Sequence, residues 1–355
     1  MTTSTPEPNP EAKKEEGPKV TFVHSGNFIE LLNRHGMTLA LTTYQAGKLC
    51  FLSSYQGRLR MLMRTYDRAM GLCVHPGGLL LATRNQVWSF VQAPHLLPLY
   101  YSERDYDNLY LPHAAYVTGD VSAHDLFLLG QDICLVNTRF SCVARTDPER
   151  SFVPLWWPKF ISRLVPEDRC HLNGVALANN QVRYAVALGD TDHAAGWRDQ
   201  KATGGCVIDG PSREVIYRGL AMPHSPRLQG SRLWLLNSGC GELGYLDREQ
   251  WRAVAQMPGF LRGLALTPTH AFVGLSKARE EATFGGMPIA GRKLQCGVQV
   301  VQLRTGVVEA WLEFQTGIEE IYDVQIIPNC KHPFVLGFQK EDINHIFNLD
   351  PDSNA

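Results

Sequence analysis

The segment His124-Asp-Leu-Phe-Leu-Leu-Gly-Gln-Asp-Ile-Cys-Leu-Val-Asn137 recurs in outline as His224-Ser-Pro-Arg-Leu-Gln-Gly-Ser-Arg-Leu-Trp-Leu-Leu-Asn237. Both copies open with a histidine, continue as a short apolar run, turn at a glycine, and form a second apolar run. Both end in an asparagine, which is followed by Thr138 in one copy and Ser238 in the other. Short apolar runs joined by glycine turns are typical of antiparallel strands, so the repeat predicts a fold built from equivalent β units.

Four further segments follow the same plan more loosely, each with two apolar runs separated by a turn that contains Asn, Pro or Gly. The period is roughly 40 to 60 residues, which matches the blades of propellers. Six copies predict an all-β fold, namely a six-bladed β-propeller, because stacked blades bury one another and ring closure protects the sheet edges. A two-sheet sandwich is the alternative, but it does not explain the repeated openings. The predicted strand openings are Met70, His124, Asn173, His224, Arg262 and Asp323.

The chain divides into one large unit and two short ends. We predict a disordered tail at residues 1–19, a single propeller domain at residues 20–345 and a flexible C-terminus at residues 346–355. A short strand and a helix near Asn27 to Asn33 are expected to cap the propeller.

Composition excludes several functional classes. The formal net charge of −1 provides no excess basic field, so we expect no nucleic-acid partner and no membrane-surface partner. No apolar run reaches the roughly 18 residues that a transmembrane helix needs. The N-terminal segment lacks the apolar core of a secretory signal, and the nine cysteines are widely spaced without a CxxC pair. Reduced thiols in a cytoplasmic protein fit this pattern better than disulfides or a zinc finger.

Histidines at the strand openings suggest a metal site. In a propeller the inner strands surround a central channel and begin at the same end of it. His124 and His224 open two such strands, and His171 lies two residues before Asn173, so on an extended chain it faces the same way. Imidazoles with carboxylates are common ligands of Fe, Zn or Mn, and a three-histidine set leaves a coordination position for water or substrate. The predicted ligands of this divalent transition metal are His124, His171, His224, Glu320 and Asp323.

A second group of polar residues near the openings indicates an anionic substrate. Arginine binds carboxylates with two parallel hydrogen bonds, and several arginines lie close to the predicted channel mouth. We predict substrate binding by Arg139, Asn173, Arg227 and Arg262. The predicted catalytic residues are Asp168, Glu319 and Arg169, with Asp168 or Glu319 as general base.

The sequence also resembles a bacterial family of conserved hypothetical proteins, filed as a domain of unknown function and sometimes labelled TPR-related. The resemblance covers the chain from about Phe22 to Phe338 and supplies no activity. In architecture only, the family is similar to metal-dependent lactonase and lyase propellers, whose sites use mainly Glu, Asn and Asp ligands. The carrying motifs include Asp168-Arg-Cys-His-Leu-Asn-Gly174, Pro223-His-Ser-Pro-Arg227 and Glu319-Glu-Ile-Tyr-Asp323.

The leading hypothesis is a metal-dependent enzyme that acts on a carboxylate-bearing small molecule or peptide at the channel mouth. The sequence leaves oxidoreductase, lyase and hydrolase chemistry open. The first alternative is a non-catalytic propeller that binds a peptide or protein partner across the same face. The second alternative is a thiol enzyme that uses Cys170, whose neighbour His171 could lower the thiol pKa.

Overall fold

The computed structural model describes residues 19–248, 250–277, 285–338 and 341–349. Within these residues the secondary structure is mostly antiparallel strand. The helices are α1 (Phe28–His35) and α2 (Leu97–Tyr100). The strands are β1 (Thr21–His24), β2 (Met37–Thr43), β3 (Lys48–Tyr55), β4 (Arg58–Thr65), β5 (Leu72–His75), β6 (Gly78–Ala82), β7 (Gln86–Gln92), β8 (Asn108–Val117), β9 (Ala123–Leu129), β10 (Asp132–Asn137), β11 (Cys142–Arg145), β12 (Val153–Trp156), β13 (Leu172–Ala178), β14 (Gln181–Ala187), β15 (Gly205–Asp209), β16 (Val215–Leu220), β17 (Pro223–Gln229), β18 (Arg232–Asn237), β19 (Glu242–Asp247), β20 (Gln250–Gln256), β21 (Phe260–Leu266), β22 (His270–Ser276), β23 (Gly297–Gln302), β24 (Val308–Thr316), β25 (Asp323–Pro328) and β26 (Pro333–Val335).

The strands of the described residues form six sheets, which are the six blades of a propeller, so the predicted fold class is confirmed. Blades 2 to 6 begin with the inner strands β5, β9, β13, β17 and β21, and each inner strand contacts the inner strands of its neighbours. Blade 1 closes the ring, because its inner strand β25 comes from the C-terminal part of the chain and pairs with β2 from the N-terminal part. Closure therefore joins the two ends of the propeller by a full antiparallel ladder.

Two extra strands cover outer edges. β1 pairs with the outer strand β24 of blade 6, and β26 pairs in parallel with the outer strand β8 of blade 2. Both additions hide backbone groups that an exposed edge would offer to another chain. The predicted tail lies outside the described residues except for Lys19, and the predicted C-terminal segment is described only as far as Leu349.

Helix α1 is the predicted cap, displaced by one or two residues. Its apolar residues Phe28, Leu31 and Leu32 follow helical spacing and are buried against blades 1 and 6. The helix ends at Gly36, whose left-handed backbone (φ 59°) lets the chain turn into β2. Neither helix in the described ranges is long and apolar enough to span a bilayer.

The core lies between neighbouring blades, as the blade-stacking argument predicts. One apolar cluster, for example, joins Phe127 and Val136 of blade 3 to Val175 and Ala185 of blade 4. Buried hydroxyls tie the same neighbours together near the channel. Four of them donate to a backbone carbonyl at the start of the next blade: Thr42 to Met70, Thr138 to Leu172, Ser238 to Leu261 and Ser276 to Ile321.

Replacing the Thr42 hydroxyl by a methyl group tests this bond between blades. We expect Thr42→Val to lower the free energy of unfolding by about 1–3 kcal/mol, because it leaves the buried Met70 carbonyl without its donor while keeping the side-chain shape. Chemical denaturation gives the value. Thr65→Val is the matched control, since Thr65 is exposed and bonds only to a lysine. Equal stabilities of the two variants would show that the hydroxyl contributes nothing.

Candidate functional site

The inner strands bring most of the predicted openings to one end of the central channel. There they surround a cavity of about 430 Å³. Side chains from separate blades line it, which is the arrangement that the repeat predicts. Of the predicted site residues, those that line this cavity are His124, Arg139, Asp168, His171, His224, Arg262 and Glu320.

His124 and His224 have the same local structure in blades 3 and 5. Two residues before each histidine the backbone is left-handed, with φ 52° at Ser122 and φ 51° at Met222. This turn directs the carbonyl of each of these residues at the following imidazole, and Nδ1 of each histidine donates to it at 2.8 Å. A carbonyl only accepts hydrogen bonds, so Nδ1 carries the proton and Nε2 is an acceptor. Both rings therefore present a lone pair to the cavity that they line.

Both imidazoles are also held neutral. Burial lowers the pKa of His124 and of His224 well below the usual value, and the nearby Arg262 guanidinium lowers both further. The hydroxyls of Thr138 and Ser238, at equivalent places in the two blades, lie 2.7 and 3.1 Å from the two Nδ1 atoms. Rotation of these rings is therefore restrained, and their Nε2 acceptors persist at neutral pH.

His171 reaches the cavity by a different route from the one expected. Its backbone is left-handed (φ 50°), so the extended-chain argument for its direction was wrong even though the side chain does line the cavity. Nδ1 lies 2.8 Å from Oδ2 of Asp168, and Nε1 of Trp197 donates to the same oxygen at 3.1 Å. The ring centroids of His171 and His124 are 4.8 Å apart. The carboxylate accepts from Nδ1 and orients the imidazole, so in the neutral ring Nε2 is again the acceptor.

Arg262 forms the cationic side of the cavity. Its Cζ atom lies 3.3 Å from the ring centroid of Tyr322, and Tyr322 stacks on Tyr44 at 5.5 Å. Nη1 is 3.8 Å from a carboxylate oxygen of Glu320, which is an ion pair without a hydrogen bond. Nη2 is buried and has no hydrogen-bond partner among the described residues. A buried donor without an acceptor costs about 1–3 kcal/mol, so this guanidinium is poised to take an anion.

Two predicted site residues, Arg227 and Asp323, lie below the cavity and do not line it. Nη1 of Arg227 bonds to Asp125 at 3.2 Å, and Nη2 lies 3.8 Å from Asp323. The two carboxylates also accept from backbone N–H groups of blades 4 and 2, at Val175 and Leu72. Burial raises the pKa of Asp323 to about 7, against the opposing effect of Arg227 and with a further increase from Asp125. Arg227 thus has two acidic partners inside the protein.

Two of the residues predicted to be catalytic, Arg169 and Glu319, have charged partners within the protein. Arg169 is paired with Glu167 and Asp192 at 2.9 and 2.7 Å. Glu319 is exposed and lies 3.7 Å from Lys277. Neither of them lines the cavity.

Two other predicted substrate-binding residues lie at and below the cavity. Arg139 lines it but also pairs with Asp120 at 3.4 Å. Asn173 lies in the floor below the cavity, where its Nδ2 donates to the Pro223 carbonyl at 2.9 Å.

The thiol alternative does not fit the structure. Cys170 is completely buried, and burial raises its pKa to about 12. A thiol in that state is protonated at neutral pH and is a poor nucleophile. Its neighbour His171 instead pairs with Asp168.

The metal prediction is not shown. In the described part of the chain no three His, Cys, Asp or Glu side chains are grouped closely enough to hold an ion. His124, His171 and His224 line one cavity, yet Arg262 lies near two of them, and its charge opposes a second cation. Asp323 is engaged by Arg227, which removes it from the predicted ligand set.

Sequence reasoning missed the pairing of His171 with Asp168 and the roles of Trp197, Tyr322 and Asp125. Trp197 is almost completely buried beside the His171 ring, at 4.4 Å between centroids. Asp125 directly follows the repeat histidine His124. Because successive strand residues point to opposite sides, this adjacency was a usable signal for an acidic side chain on the side opposite His124. Tyr322 directly precedes the predicted opening residue Asp323, the first residue of the inner strand β25.

Comparisons with known proteins agree with the fold. A family model described as a domain of unknown function (DUF4915) matches residues 26–336. No curated protein matches the chain. A crystal structure of a nidogen/laminin complex contains a chain with 9% identity and a TM-score of 0.51, covering 83% of this chain and 99% of that one.

Two further solved structures are similar to the chain at TM-scores under 0.5. A protein of unknown function from Bacteroides caccae has 10% identity and a TM-score of 0.48, covering 82% of this chain and 98% of that one. Virginiamycin B lyase from Staphylococcus aureus has 9% identity and a TM-score of 0.38, covering 84% of this chain and 99% of that one.

The raised pKa of Asp323 predicts a specific pH dependence of stability. An unfolded aspartate titrates near about 3.9, whereas Asp323 in the folded protein titrates at about 7. Between these values only the folded state keeps the proton, so this group's contribution to stability falls as pH rises from about 4 to 7 and is constant above. We expect the unfolding free energy of the wild type, relative to Asp323→Asn, to decrease across that window in a denaturation series. Asp247→Asn, at an exposed position, should show no such trend; a difference that rises with pH would contradict the assignment.

Proposed function

Because the chain belongs to the family described as a domain of unknown function (DUF4915), we propose an activity from the site alone: the propeller is an enzyme that acts on a small carboxylate-bearing molecule in the central cavity. The observation that carries this proposal is Arg262. Its buried Nη2 atom lacks an acceptor among the described residues, and the guanidinium is stacked on Tyr322 beside neutral imidazoles. A ligand carboxylate supplies the missing acceptor and a charge-assisted hydrogen bond.

The proton-transfer group of the proposal is His171. Asp168 holds its Nδ1, so its Nε2 is positioned to accept a proton from a bound molecule, and the carboxylate stabilises the charge that results. Trp197 shares the same carboxylate oxygen and restrains it. This arrangement supports chemistry that begins with proton abstraction, as in lyases, isomerases and hydrolases.

The cavity size agrees with a small substrate. About 430 Å³ is within the range of roughly 300–1,000 Å³ that is usual for small-molecule sites. Below the cavity the space narrows to a chamber of about 10 Å³, which is lined by His124, Asn173 and Arg227. A ligand therefore enters and leaves by the open end. A cavity closed at its floor favours a substrate over a peptide threaded through the channel.

A metal-assisted version is the second candidate function. It is favoured by one observation: His124, His171 and His224 each have Nδ1 held by an oxygen, which is how metal-binding histidines are oriented by their neighbours. Those three side chains would be the ligands, and an ion there would supply Lewis-acid activation of a bound oxygen. In the described part of the chain, however, these side chains are not grouped closely enough to hold an ion.

Binding of carboxylates tests the leading proposal. We expect ligand-observed NMR with a panel of small carboxylates, each paired with its primary amide, to detect carboxylates selectively. Arg262→Gln should weaken the binding about 10- to 100-fold, because a hydrogen bond to a charged group contributes about 1.5–3 kcal/mol. Arg304→Gln is the matched control, since Arg304 is exposed and lies outside this cavity. Binding of extended peptides only, without any small carboxylate, would point to the recognition module instead.

Elemental analysis separates the two candidates. We expect the purified protein to hold much less than one Fe, Zn or Mn per chain, because the Arg262 charge opposes a second cation near His124 and His224. One ion per chain that disappears in His224→Ala, but not in the exposed-histidine variant His95→Ala, would establish the metal-assisted version.

A further inference from the structure

The three imidazoles of the cavity offer hydrogen-bond acceptors, which an anion without N–H or O–H donors cannot use. Nε2 of His124, His171 and His224 has no hydrogen-bond partner in the part of the chain that the structure describes, and all three rings line the cavity. Because each Nδ1 is bonded to an oxygen, each Nε2 is a lone-pair acceptor. An occupant that satisfies them must bring N–H or O–H donors to that side of the cavity.

Hydrogen-bond lengths favour a protonated amine over a metal ion as that occupant. A metal needs its nitrogen ligands at about 2.0–2.1 Å, whereas N–H donors reach acceptors at about 2.7–3.2 Å. Acceptors around an amine nitrogen therefore stand farther apart than metal ligands do. In the described residues the three imidazoles share a cavity without being grouped for an ion, so the longer contacts of an N–H donor suit them better than metal–nitrogen bonds. A primary ammonium also has three donors for three acceptors.

Charge balance shows which kind of amine can enter. Arg262 lies close enough to His124 and His224 to oppose positive charge on them, so a bare cation in the same place is also disfavoured. A molecule that carries its own carboxylate cancels the Arg262 charge as it binds. The whole lining is likewise balanced, with three arginines and three carboxylates: Arg139, Arg198 and Arg262, and Glu167, Asp168 and Glu320.

We propose that the ligand of this cavity is a zwitterion of the amino-acid or short-peptide class. Its carboxylate binds Arg262, and its protonated primary amine donates to Nε2 of His124, His171 and His224. This inference rests on the proposed carboxylate site and adds the amine.

Titration calorimetry on the full chain tests the amine half separately from the carboxylate half. The probes are the L-amino acids and glycyl dipeptides, each with its N-acetyl derivative, which keeps only the carboxylate, and its C-terminal amide, which keeps only the ammonium. We expect at least one free zwitterion to bind at least tenfold more tightly than both of its derivatives. In His224→Ala the preference over the N-acetyl derivative should shrink at least several-fold, while the affinity for that derivative changes little; His95→Ala should behave as the wild type.

The outcomes are distinguishable. If N-acetyl derivatives bind as tightly as free zwitterions throughout, the amine site is overturned while the carboxylate site stands. If no probe with a carboxylate binds, both proposals fail. Arg262→Gln should weaken zwitterions and N-acetyl derivatives alike, and unchanged melting temperatures of the variants confirm that the losses are local.

Discussion

The bridge from Arg227 to Asp125 and Asp323 is the constraint on which the site depends. It joins blade 5 to blades 3 and 1, and the same carboxylates accept backbone N–H groups of blades 4 and 2. Buried charges are costly to desolvate, and removing one partner of such a group usually costs several kcal/mol. Inner strands from five blades therefore have a common reason to keep their register at the channel. The bridge also gives the cavity a floor, since Arg227 lines both the small chamber below it and a separate cavity of about 410 Å³.

Repetition of the blades explains how separate segments build one site. His124 and His224 are equivalent not only in position but in detail, since each follows a left-handed residue by two positions and contacts a hydroxyl just after the next strand. Those hydroxyls also bond to the following blade, so the support for the imidazoles is part of the support for the ring. A single local design thus serves the fold and the site.

Much of the fold and part of the site were predictable from the sequence, and the wrong predictions have physical causes. Strand texture and repeated openings identified six blades and the cavity-lining His124, His224 and Arg262, because period and alternation are local properties. Arg227 was assigned to substrate because its acidic partners are distant in sequence and meet it only after ring closure. His171 was placed by an extended-chain rule, whereas a left-handed turn positions it. Long-range pairing and positive φ at non-glycine residues leave little trace in one sequence.

Environment gives different roles to three identical side chains. Burial and Arg262 keep His124 and His224 neutral, and backbone carbonyls accept from their Nδ1 atoms, so their Nε2 atoms can only accept hydrogen bonds. His171 instead has a carboxylate behind it, which stabilises a positive charge on its ring. In the proposed function, His171 therefore moves a proton, and His124 and His224 hold a donor in place. Groups of one type whose surroundings differ in this way are how acid–base sites divide their work, and here the division follows from which blade supplies each histidine.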